Sequence, residues 1–173
     1  DTSGYQSLVY WRSQNNSKNP QGTIATFIDS VSAIGATVVS HPDQADQRVA
    51  IIYPKPRYYS PIIYSNDNIV YRQSTNLGAT WGPVQTVYNY AATQEMIQST
   101  SPQFERGWET SGLYAADGCL HVLFQSTWSD TGATFTGDGG FILIYPAKIY
   151  HWDNCSNCAS LVTERRTAAA TCN

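Results

Sequence analysis

The sequence predicts an all-β chain, on three observations. Apolar residues fall in short runs or strict alternation between turn residues, helical periodicity is nearly absent, and Gly and Pro, at 12 and 8 residues, punctuate the whole length. The strands expected, in order, are residues 7–12, 23–28, 37–40, 48–53, 68–73, 84–88, 112–116, 120–126, 141–145 and 148–152, with a last one at 160–165. Each is rich in Val, Ile, Tyr, Phe, Trp or Thr, whose branched or aromatic side chains fit a pleated surface. Only residues 90–99 could form a short helix, and Ser101-Pro102 would end it.

The 173 residues set the expectation of one domain, 1–173. Aromatic residues make up 13%, too many for a disordered chain. Net charge is −3, without blocks of one sign, which argues against a nucleic-acid partner because such partners leave a basic footprint. No apolar run reaches the ~18 residues of a membrane-spanning helix. A chain that starts at Asp1 is expected to be a mature or excised piece, and a soluble one.

Four cysteines stand at 119, 155, 158 and 172. Cys155-Ser156-Asn157-Cys158 is a C-x-x-C, but Ala159 stands where a c-type haem needs His, and no second C-x-x-C completes a zinc ribbon. No helix pattern follows to give a thioredoxin-like context. The expectation is two disulfides, Cys155 with Cys158 across a tight turn and Cys119 with Cys172 tying down the tail, and hence an extracellular address. Asn15-Asn16-Ser17 and Asn154-Cys155-Ser156 match the glycosylation acceptor triplet.

The strands recur in a similar order. Arg48-Val-Ala-Ile-Ile-Tyr53, a Pro-containing loop, Asn68-Ile-Val-Tyr-Arg-Gln73, a turn and Val84-Gln-Thr-Val-Tyr88 form one set. Cys119-Leu-His-Val-Leu-Phe124, a Gly-rich loop, Lys148-Ile-Tyr-His-Trp152, the C-x-x-C turn and Leu161-Val-Thr-Glu164 form another, and the first 40 residues fit more loosely. Four-stranded units repeating at roughly 40–50 residues read as about three β-propeller blades, near 1–40, 41–100 and 101–173; the alternative is a β-sandwich.

The turn Ser74-Thr75-Asn76-Leu77-Gly78-Ala79-Thr80-Trp81, between two expected strands, resembles the Asp box of the sialidase-like (BNR) propellers, Ser-x-Asp-x-Gly-x-Thr-Trp, with Asn76 in place of Asp. Locally, Asn76 can accept bonds from its own turn, Gly78 supplies a backbone conformation costly for other residues, and Trp81 fills the gap below. The resemblance covers residues 41–125 best. It implies a partial propeller, and its structural residues would be Ser74, Asn76, Gly78, Thr80 and Trp81. The box is a rim device, so it implies fold rather than activity.

Sialidases of that family use three arginines and a Tyr–Glu pair with an Asp. The nearest candidate here is Glu109, in Glu105-Arg106-Gly107-Trp108-Glu109, as one carboxylate of a glycosidase. Trp108, Tyr58, Tyr59 and Arg57 are candidates for carbohydrate binding, since aromatic faces stack on sugar rings. His41, His121 and His151 show no ligand spacing, and His121 and His151 are expected to hydrogen-bond locally, so neither metal nor cofactor is expected. Three blades cannot close a ring, and an open one leaves faces and edges uncovered. The leading expectation is therefore a secreted, non-catalytic propeller-type subunit or fragment, a scaffold or recognition surface assembling with itself or another propeller chain. A glycoside hydrolase and a glycan-binding lectin are the alternatives.

Overall fold

A computed structural model of the chain describes residues 6–13, 23–31, 35–43, 45–56, 67–89, 103–130 and 143–165. The candidate sugar-stacking residues Arg57, Tyr58 and Tyr59, the expected helix at 90–99 and Cys172 lie outside these. Among the described residues the protein is all-β, with three antiparallel sheets, none closed. β1 (Gln6–Ser13) and β2 (Thr23–Val31) form a hairpin. β3 (Thr37–Ser40), β4 (Val49–Pro56), β5 (Asp67–Ser74) and β6 (Gln85–Tyr88) form a middle sheet in chain order. β7 (Gln103–Tyr114), β8 (Leu120–Asp130), β9 (Leu143–Asp153) and β10 (Cys158–Arg165) form the third, again in chain order.

Some strands differ from expectation. Residues 37–40, grouped by sequence with the first unit, pair with β4 (Val38 opposite Ile51), because the His41 N–H donates to the Arg48 carbonyl at 3.0 Å and closes a hairpin there. The two strands expected at 141–145 and 148–152 are one strand, β9. Its Pro146 falls where the register slips between Ser126 opposite Lys148 and Trp128 opposite Ile144, so its missing N–H costs no ladder bond. Likewise Pro54 and Pro56 extend β4 beyond Ile52, the last residue that β3 pairs with. β7 begins nine residues before its expected start, and its slip between Gly107 and Thr110 bends the strand at Trp108-Glu109.

The sheets stack in layers. From β4, Ala50 and Ile52 point one way, into a core with Tyr71, Val87, Tyr114, Leu120, Val122, Phe124 and Trp152 of the neighbouring strands. Ile51 and Tyr53 point the other way, packing with Val70 against Ile28 and Val31 of the hairpin. Side chains alternate across a strand, so a segment covered on both faces must be apolar throughout, which is why Val49–Tyr53 contains no polar residue. In β8, Leu120, Val122 and Phe124 are buried against the middle sheet, while His121 and Leu123 face away from it. Gly112 lets β7 approach β4: a Cβ there would lie 2.4 Å from Ile52 Cδ1. Tyr88, Phe124 and Tyr150 join β6 to β8 and β9 through ring contacts of 5.2–5.4 Å.

Polar ties run between the layers. Thr37 Oγ1 donates to the Thr110 carbonyl at 2.6 Å, linking β3 to β7. Arg48 donates through Nη1 to the Gly118 carbonyl at 2.7 Å, grips Asp46 with Nε and Nη2, and lies 5.2 Å from the Tyr114 ring centroid. Asp29 of β2 accepts from Tyr53 and Lys55 of β4.

The 74–81 turn closes β5 onto β6 through its own side chains. Ser74 Oγ donates to Asn76 Oδ1 at 2.9 Å and accepts the N–H groups of Asn76 and Gly78. Asn76 Oδ1 also accepts the Thr80 N–H at 2.9 Å, and Asn76 Nδ2 donates to Thr80 Oγ1. Gly78 has φ +79°, and a Cβ there would lie 2.5 Å from the Tyr10 ring, whose centroid is 5.0 Å from that of Trp81. The turn thus fastens the first layer to the second.

Two stability predictions follow from these contacts. Gly78→Ala must accept a left-handed backbone and displace Tyr10, and is expected to lower unfolding free energy by about 2–4 kcal/mol, measured by urea denaturation. Arg48 hydrogen bonds hold the Asp46 carboxyl at about 2, below its ordinary 3.8. Its contribution is therefore complete above pH ~4 and is lost as pH falls from about 4 to about 2. Asp46→Asn is expected to flatten the fall of the urea midpoint across that window.

Candidate functional site

The third sheet has one face against the middle sheet and one facing outward. Cross-strand partners share a face, so the register places Leu113, His121, Asp153 and Cys158 in one row across β7–β10, and Ser111, Leu123, His151 and Ser160 in the next. Leu113, Leu123 and Ile149 are exposed here, 40–56%. With Ser111, Ala115, His121 and His151 the two leucines line a groove of about 310 Å³.

His121 and His151 meet diagonally across the β8–β9 ladder. Their rings stack at 23° with centroids 5.2 Å apart, and His121 Nδ1 lies 2.9 Å from His151 Nε2, a hydrogen bond whose donor depends on the tautomer. Asp153 stands opposite His121 and opens the β9–β10 turn. Its Oδ1 accepts the N–H groups of Ser156 at 2.6 Å and Cys155 at 3.1 Å, and its Oδ2 accepts the Ser156 hydroxyl at 2.7 Å. Those bonds, with His121 close by, hold the carboxyl below its ordinary pKa. One ligating atom from each of the three residues lies within 4.8 Å of the others.

The cysteine pairing is corrected. The disulfide joins Cys119 to Cys155, with Cα atoms 5.7 Å apart, and Cys158 is a free, exposed thiol, so neither Cys155–Cys158 nor Cys119–Cys172 forms. The register explains it: His121 opposite Asp153 carries forward to Leu120 beside Asn154, where the Leu120 N–H donates to Asn154 Oδ1 at 2.7 Å and its carbonyl accepts the Asn154 N–H. Cys119 and Cys155 are the next pair outward. Cys158 sits across the turn, where the backbone closes instead through the Asn157 N–H to the Asp153 carbonyl.

Glu109 is exposed, on β7 beside the slip rather than in a loop before the strand, and among the described residues no hydrogen bond or ion pair joins it to another side chain. Trp108 precedes it in the same strand. The His121–His151–Asp153 group was missed by in-chain spacing because its members come from two strands. Its legible trace is the spacing Cys119-x-His121 on one strand and His151-x-Asp153-x-Cys155 on the other, each counted from the bridge.

Peptide mapping without reduction is expected to recover Cys119 linked to Cys155. Cys119→Ala/Cys155→Ala, which opens a loop of 36 residues, is expected to cost about 3–4 kcal/mol in urea unfolding. Set against known proteins, the chain matches no family model and no curated protein.

Proposed function

We propose that this chain is an extracellular, non-catalytic subunit of the sialidase-like propeller type, a recognition scaffold that associates through the two end faces of its stack. The observation that carries this reading is an asymmetry of burial. Strand β4 of the middle sheet is covered on both sides, whereas the outer layers expose apolar residues: Trp11 (66%) and Phe27 (59%) at one end, Leu113 (56%) and Leu123 (45%) at the other. Isolated exposed apolar side chains are ordinary, but clusters on the flat faces of a layered stack are what a further layer would cover. The 74–81 turn supports the family resemblance by its strand–turn–strand setting, and the disulfide suits an oxidising compartment.

The occupant we favour is a second copy. Docked head to tail, one copy's hairpin face covers the other's third-sheet face, and the two ends that remain take further copies until a ring closes. The proposal gives Glu109 no catalytic role.

Sedimentation equilibrium over a range of concentrations tests this. Concentration-dependent association that begins with a dimer is expected, and Trp11→Glu at one end or Leu123→Glu at the other is expected to raise the dissociation constant at least about tenfold while circular dichroism stays unchanged. A folded chain that remains monomeric throughout would overturn the reading.

A further inference from the structure

We infer that His121, His151 and Asp153 form a binding site for a divalent transition-metal ion of the zinc type. The site goes beyond the association proposed above and does not depend on it.

The donor set is the first ground. Two imidazole nitrogens and a carboxylate oxygen suit zinc and its first-row neighbours, whereas calcium and magnesium take oxygen donors almost alone. A zinc ion sits about 2.0–2.2 Å from such atoms, so two ligands of one ion lie no more than about 4.4 Å apart. The three donors lie within 4.8 Å of one another, close enough for small side-chain rotations to bring them onto one ion, and the two ring nitrogens, 2.9 Å apart, separate slightly to reach tetrahedral spacing. On binding an ion, the imidazole that donates this hydrogen bond changes tautomer, its proton moving through solvent to its other ring nitrogen, so that both facing nitrogens offer lone pairs and no net proton is released.

Support for the ligands is the second ground. Metal-binding carboxylates are held by outer hydrogen bonds, and Asp153 has three such bonds from its own turn. Oδ2 accepts only the Ser156 hydroxyl and keeps a lone pair free. The Cys119–Cys155 bridge, one step outward, pins that turn to the start of β8, so both strands that carry ligands are fixed relative to each other. His121 and His151 are partly buried, on ladder positions rather than on a loop, and the apolar groove beside them limits access of water to one side.

Of the groups beside the site, the Cys158 thiol is the one that zinc would also bind. Leu113 and Leu123 flank the histidines on β7 and β8, and Ser160 faces His151 from β10, with its hydroxyl 3.5 Å from the His151 carbonyl. Cys158 faces Asp153 across the β9–β10 ladder as an exposed thiol outside the three-residue cluster. Three protein ligands leave an open coordination position, which water takes.

Calorimetric titration of the untagged, disulfide-intact protein with Zn²⁺, and with Co²⁺ for its visible ligand-field bands, tests the assignment. One ion per chain is expected, with a cobalt spectrum of nitrogen and oxygen ligation. His121→Ala and His151→Ala are each expected to weaken binding at least about 100-fold, and Asp153→Asn about tenfold or more. Because both histidines lie on the outward face, these variants are expected to keep the apo protein's thermal midpoint, which separates lost ligation from lost folding. Absence of saturable Zn²⁺ binding would overturn the assignment. So would binding that survives His121→Ala/His151→Ala but vanishes in Cys158→Ser, since it would then belong to the thiol.

Discussion

The structure depends on the two-sided burial of β4. Val49, Ala50, Ile51, Ile52 and Tyr53 are all at most 5% exposed, and the last four alternate between two cores, Ala50 and Ile52 in one and Ile51 and Tyr53 in the other. Neither the hairpin nor the third sheet has its own second apolar partner among the described residues, so each layer owes its order to this strand. Burial of a Val or Ile side chain contributes about 1.5–3 kcal/mol, and here one strand supplies such contacts to both sides. A polar residue anywhere in the run would face an apolar layer whichever way it pointed, so this is the segment least tolerant of change.

Apolar packing is not direction-specific, and polar contacts fix how the layers sit. Arg48 is the most connected of these: its guanidinium reaches Asp46 in its own hairpin, the Gly118 carbonyl in the β7–β8 turn of the third sheet, and the face of Tyr114. Asp29 plays the matching part between hairpin and middle sheet. Burial alone would push its carboxyl up, yet hydrogen bonds from Lys55 and Tyr53 outweigh that and hold it below its ordinary value. Among the described residues four buried polar side-chain atoms lack partners, and two of them, Tyr114 Oη and His41 Nε2, belong to rings that lie together beneath the same junction, 5.6 Å between centroids. Burial drives the Tyr114 hydroxyl up to about 12, so it stays neutral throughout the physiological range.

Much of this was legible in the sequence. His121 within the apolar run Leu120–Phe124 points to a strand with one dry face, although Leu123 breaks the alternation, and the unbroken run in Val49–Tyr53 marks one with two. The 74–81 turn could be read locally because the side-chain bonds of Ser74 and Asn76 join residues at most four apart, although the Leu77 N–H also reaches the Gln47 carbonyl. Prolines were overread: Pro54, Pro56 and Pro146 suggest breaks, but each lies where the ladder demands no donor. The cysteine pairs were misassigned for a different reason. Pairing by proximity along the chain ignores register, and register is what sets Cys119 beside Cys155 and brings the histidines together.

In both four-stranded sheets every strand pairs with its immediate neighbour in the chain. Hydrogen-bonded order can therefore build up from the N-terminus while the rest of the polypeptide is still being made, with little entropic cost for closing long loops. The covalent link is the exception to this locality. Cys119 and Cys155 are 36 residues apart and meet only once β9 has settled against β8, so the bridge records correct register after the fact and does not guide it. A chain oxidised before that moment offers the thiol of Cys158 as a wrong partner three residues away, which makes the timing of oxidation a quality test for folding of the last sheet.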